Sequence, residues 1–73
     1  MGKPEVTNQL RRLRFERGEL TQQALGERVG VSRQTIIAIE RGKYAPSLAL
    51  ALRLARTFEL SVEEIFTLEE ERS

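Results

Sequence analysis

Residues 21–43 read TQQALGERVGVSRQTIIAIERGK, and this stretch constrains the chain more than any other. Thr21 is a good N-cap for a helix running to about Arg28, with Ala24, Leu25 and Val29 facing inward. Gly30 can supply the positive φ that a tight turn between helices requires. Ser32 then caps a third helix that runs to about Arg41 and stops at Gly42. Gly26 stands where two helices would approach too closely for a side chain. Leu25, Val29, Ile36 and Ile39 supply a local core.

A helical wheel divides residues 32–41 into two sides. Ser32, Ile36 and Ile39 share one, and Arg33, Gln34, Ile37 and Arg41 share the other. One side is expected to be buried. The other offers long polar groups and one isoleucine, the division a groove-reading helix needs. An ordinary solvated helix face is the plainer reading of the same residues.

The remaining chain reads as three more helices. Residues 5–17 place Val6, Leu10 and Leu13 on one stripe, with Arg14 at its edge, Phe15 pointing away and Gly18 as the stop. A loop, Lys43-Tyr44-Ala45-Pro46, leads to a fourth helix capped by Ser47. Its apolar face is expected to hold Leu48, Ala51, Leu52, Leu54, Ala55 and Phe58, with Leu50 at the margin. Ser61-Val62-Glu63-Glu64 is a capping box opening a short fifth helix that ends near Phe66 or Leu68. No segment suggests a strand. The expected fold is all-α, a five-helix bundle in one domain over residues 1–73, with an ordered core at about 5–68 and a frayed acidic tail at 69–73.

Composition narrows the function classes. The 73 residues contain no cysteine and no histidine, which excludes disulfides and argues against zinc or any other metal site. Without an imidazole, a catalytic site would rest on Glu, Ser, Lys or Tyr, and Ser32 and Ser47 are accounted for as helix caps. An enzyme is not expected, nor a cofactor. No apolar run approaches the ~20 residues that span a bilayer, and no signal-peptide pattern opens the chain, so the cytoplasm is the expected location. Net charge is only +1. Residues 1–43, however, carry nine Lys/Arg against five Glu (+4), while residues 44–73 carry three Arg against six Glu (−3). That polarity fits one face turned toward a polyanion.

The 21–43 stretch, with PSLALALRLARTFELSVEEIF following at residues 46–66, closely resembles the Xre family of Cro and phage-repressor-type helix-turn-helix regulators. The resemblance covers roughly residues 8–66 and is closest to minimal members made of this domain alone. It implies a lambda-repressor-like fold whose second and third helices form the helix-turn-helix, and a transcriptional regulator, more often a repressor, that binds a palindromic double-stranded DNA operator. At matching positions it implies base contacts by Arg33, Gln34 and Ile37, since Arg suits guanine, Gln suits adenine and Ile a thymine methyl. It implies phosphate contacts by Gln22, Ser32, Arg41, Lys43 and Tyr44, and a structural salt bridge between Arg14 and Glu40. Three positions depart from the pattern. Glu19 is an extra residue before the second helix, Glu59 stands where a closing glycine is usual, and Ile37 occupies a position more often polar.

A single reading helix buries little surface, so a homodimer is expected, with Phe15, Leu50, Phe66 and Leu68 as candidates for its interface. The same apolar residues and the acidic tail fit a second function, an antitoxin or adaptor whose main work is binding a protein partner.

Overall fold

The computed structural model describes residues 5–69, which form two short strands and five helices. In chain order these are β1 (Glu5–Asn8), α1 (Leu10–Glu16), α2 (Gln22–Val29), α3 (Arg33–Glu40), α4 (Leu48–Phe58), α5 (Val62–Ile65) and β2 (Phe66–Glu69). The helix starts follow directly from the sequence. Thr21, Ser32, Ser47 and Ser61 each stand at an N-cap, where the side-chain oxygen accepts a hydrogen bond from the backbone N–H three residues on. Glu64 reaches back to the Ser61 N–H at 2.7 Å, completing the capping box.

Helix ends use left-handed residues. α2 closes at Gly30 (φ 81°), and the Val31 N–H returns to the Gly26 carbonyl at 2.9 Å. α4 closes in the same manner, with the Leu60 N–H donating to the Ala55 carbonyl at 3.0 Å, but its left-handed residue is Glu59 (φ 57°). The chain therefore makes the expected turn without the expected glycine. Glu19, the extra residue after α1, is likewise left-handed (φ 56°), and the widened turn lets the Leu20 N–H reach the Arg14 carbonyl at 2.8 Å.

The all-α expectation requires correction. Residues 5–8 do not begin the first helix but pair antiparallel with residues 66–69, Val6 opposite Leu68 and Asn8 opposite Phe66. Val6 and Thr7 are β-branched and suit a pleated strand. Asn8 then bars helix from continuing backward, because its side-chain oxygen accepts the Leu10 N–H at 3.1 Å and sets the turn into α1. Glu69, expected in the frayed tail, belongs to β2 and accepts a hydrogen bond from the Thr7 hydroxyl at 3.3 Å. The rest of that tail, residues 70–73, lies outside the described residues.

One apolar cluster joins all five helices, with Leu10, Leu25, Ile36, Leu54, Phe58 and Ile65 almost fully enclosed. Leu50, expected at the margin and as a dimer candidate, is part of this core at 5% exposure, whereas Leu48 and Leu52 are 73% and 53% exposed. At ~100° per residue, Leu50, Ala51, Leu54, Ala55 and Phe58 fill an arc of ~140°, and Leu52 falls ~60° past its edge. The stripe is the expected one turned by part of a helix turn. Arg17 ties α1 to the far end of α4 through the Phe58 carbonyl, which accepts its Nη2–H at 2.7 Å. Among the described residues no helix is long and apolar enough to cross a membrane.

Replacing a strained left-handed glutamate should stabilise the domain. A non-glycine residue in this region costs roughly 1–2 kcal/mol. Part of that gain is offset by the greater freedom of glycine in the unfolded chain. Glu59→Gly is expected to gain ~1 kcal/mol, raising the Tm of a domain this size by about 4–8 °C in a thermal melt.

Candidate nucleic-acid interface

The turn between α2 and α3 lies against Gly26. A Cβ placed there would stand 2.6 Å from the Val31 carbonyl oxygen and 3.3 Å from that of Ser32, both backbone atoms that cannot move aside. Glycine at this position therefore lets the turn fold tightly over α2 and fixes where α3 starts. The Ser32 hydroxyl is occupied as the cap, accepting the Thr35 N–H at 3.2 Å and lying 3.1 Å from the Thr35 hydroxyl.

From that start, α3 divides as its sequence pattern requires except at Ser32, which the wheel groups with the inner side and which is exposed at the cap. Ile36 and Ile39 are buried, Arg33, Gln34 and Arg41 are exposed, and Ile37 is half-buried. The helix is further held at its C-terminal end. Asn8 Nδ2 donates to the Ile39 carbonyl at 2.8 Å, a second hydrogen bond on an acceptor that the Gly42 N–H also reaches at 3.0 Å.

The Arg14–Glu40 pair forms in bidentate geometry. Arg14 Nε donates to Glu40 Oε2 at 2.6 Å and Nη2 to Oε1 at 3.0 Å, while Nη1 donates to the Leu20 carbonyl at 3.0 Å. The two side chains are only 11% and 8% exposed. Gln22 Nε2 donates to Glu40 Oε1 at 3.1 Å, so α1, α2 and α3 converge on one carboxylate. Gln22, expected at a phosphate, thus already commits one amide proton to Glu40 and keeps a second.

In front of this node lies an open hollow of about 850 Å³ that gathers Gln22, Arg33, Ile37 and Arg41 from the expected contact residues. Arg41 also lines an adjoining hollow of about 520 Å³ with Lys43 and Tyr44, against Val6 and Thr7 of β1. Gln34 and Ser32 are exposed but line neither hollow. The larger hollow also takes in Arg11, Gln23 and Phe15, the first two of which sequence reasoning leaves unassigned. The signal was present, since Arg11 precedes Arg14 by three residues and Phe15 by four and so shares their helix face. Of the expected interface residues, Phe15 and Leu68 are exposed, Phe66 is half-buried against the core, and Leu50 is enclosed. Among the described residues no group of three or more metal-ligating side chains stands together.

A capped pair of short helices joined by a glycine turn, the second presenting a polar side to solvent, defines a helix-turn-helix protein. The helix-turn-helix family model matches residues 10–65, and the chain belongs to that family, as its likeness to the Xre type implies. It is 50% identical over 66 residues to the HTH-type transcriptional regulator YgzD of Bacillus subtilis, covering 90% of this chain and 98% of that one. An HTH-type transcriptional regulator of Methanocaldococcus jannaschii is 56% identical over 52 residues, covering 71% of this chain and 79% of the relative. The fold is shared with a candidate DNA-binding protein from Bacteroides fragilis, known from its crystal structure. That likeness has a TM-score of 0.74 at 22% identity, over 85% of this chain and 98% of the other.

Removing the carboxylate at the node would strand a largely buried guanidinium. Glu40→Ala is expected to cost ~3–5 kcal/mol in urea unfolding, whereas exposed Arg33→Ala should stay within about 0.5 kcal/mol of the parent.

Proposed function

We propose that this chain is a DNA-binding transcriptional regulator that lays the exposed side of α3 into the major groove of duplex DNA. The observation that carries the reading is the two-sided helix itself. Ile36 and Ile39 anchor it while Arg33 and Gln34 are exposed in its first turn and Ile37, half-buried, follows one turn on. In this reading Arg33 and Gln34 contact base edges and Ile37 meets a thymine methyl. Gln22, Ser32, Arg41, Lys43 and Tyr44 hold backbone phosphates, and the family likeness supports this assignment.

Binding measured by fluorescence anisotropy, on a site recovered by selection from random duplexes, should weaken steeply with log salt. Arg33→Ala should lose ~1–3 kcal/mol on that site and far less on random duplex. Equal losses on both would remove Arg33 from base reading.

The reading extends to a repressor acting as a homodimer on a palindromic site, since two-fold dimers place their reading helices ~34 Å apart in successive major grooves. Exposed Leu68, cross-strand from exposed Val6, offers an apolar surface for the second copy. Leu68→Glu is expected to shift the mass in sedimentation equilibrium from dimer to monomer. A shift seen with Leu52→Glu instead would move the interface to α4. The exposed apolar pair on the sheet equally supports the antitoxin or adaptor reading. Stable copurification of a second protein from the native host, lost in Leu68→Glu, would favour that alternative.

A further inference from the structure

α1 and its C-cap residue Arg17 together carry four arginines, and three of them have structural work. Arg14 holds Glu40, Arg17 caps the end of α4 through the Phe58 carbonyl, and Arg12 stands 3.5 Å from Glu16 one turn away. Arg11 has no acidic partner among the described residues and opens onto the same hollow as Arg33 and Arg41, which also have none. The one acidic side chain lining that hollow, Glu40, is already neutralised by Arg14. The hollow is therefore strongly cationic, with three uncompensated guanidinium groups around it. Phe15 lies at its side, 56% exposed, its ring centroid 5.9 Å from the Arg14 guanidinium carbon.

We propose that the α1 face bearing Arg11 and Phe15 belongs to the DNA-contacting surface: Arg11 binds a backbone phosphate beside the groove entered by α3, and Phe15 packs against the adjoining deoxyribose. The inference rests on the reading of α3 given above and widens the footprint to a third helix. It also removes Phe15 from the dimer interface, because a second copy seated there would cover Arg33 and Ile37. A phosphate is the occupant that three clustered guanidinium groups favour, and duplex DNA presents phosphates at close, regular spacing along both edges of the groove.

A phosphate contact carries no sequence information, so the test needs only a labelled random-sequence duplex titrated at several salt concentrations. Arg11→Gln should weaken binding about threefold to tenfold and reduce the slope of log K against log salt by about 0.9. Arg12→Gln removes the same charge from the same helix and should change the slope by less than half as much. Phe15→Ser should weaken binding with no change of mass in sedimentation equilibrium. An unchanged slope in Arg11→Gln, or an equal change in Arg12→Gln, overturns the contact. A mass shift in Phe15→Ser without weaker binding returns Phe15 to the dimer surface. If the parent protein binds no duplex, the reading of α3 and this inference fall together. If Arg33→Ala weakens binding to the selected site and Arg11→Gln weakens binding to neither that site nor random duplex, only this inference falls.

Discussion

Both oxygens of the Glu40 carboxylate are occupied, Oε2 by Arg14 and Oε1 by Arg14 and Gln22 together. The orientation of the exposed side of α3 depends on this arrangement. Apolar packing by Ile36 and Ile39 presses α3 onto the core but constrains its rotation weakly, since hydrophobic contact is not directional. A bidentate guanidinium–carboxylate pair is directional, because two parallel hydrogen bonds fix a plane. Glu40 sits at the last turn of α3, so the pair sets the helix's angle about its own axis and with it the directions of Arg33 and Ile37. Gln22 links the first turn of α2 to the same point, and the Arg14 Nη1 bond to Leu20 pins the connection between α1 and α2.

That node was legible in the sequence only through resemblance, since nothing in local spacing pairs residue 14 with residue 40. The helix-turn-helix core was legible from the residues themselves. Thr21, Ser32 and Gly30 are punctuation whose physical effect reaches three or four residues, so a reader of the sequence sees all of it. The sheet was not legible in this way. Val6, Leu10 and Leu13 fit a helical stripe by spacing, and the competing partner of Val6 is Leu68, at the opposite end of the described chain. The local hints were slight, two β-branched residues at 6 and 7 and then Asn8, a residue whose side chain competes with its own backbone. On α4 the sequence shows more apolar residues than the core has room for. Which of Leu48, Leu50 and Leu52 goes inside is decided by the neighbouring helices rather than by α4.

The candidate site divides along similar lines. Arg33, Gln34, Ile37 and Arg41 could be grouped because one helix carries them all. Spacing puts Arg11 on the face of Arg14 and Phe15, but its place beside Arg33 depends on how α1 lies across α3. Charge counting found the basic half of the chain but not the employment of each arginine. Arg17 and Arg11 look alike in sequence, yet one is spent on a helix terminus and the other faces the open hollow.

The two-stranded sheet has a kinetic consequence. Thr7 and Glu69 are joined across 62 positions of sequence, whereas α2 and α3 meet across a three-residue turn. Loop-closure entropy grows with the length closed, so contacts of this span reward the chain only after the helices have assembled. The sheet should then form last and open first, with the helices still packed. Asn8 leaves β1 directly for the Ile39 carbonyl, so each such opening also loosens the tether on the C-terminal end of α3. The outer edge of the fold thereby sets how long the end of the exposed helix stays still, although it lies on neither wall of the larger hollow.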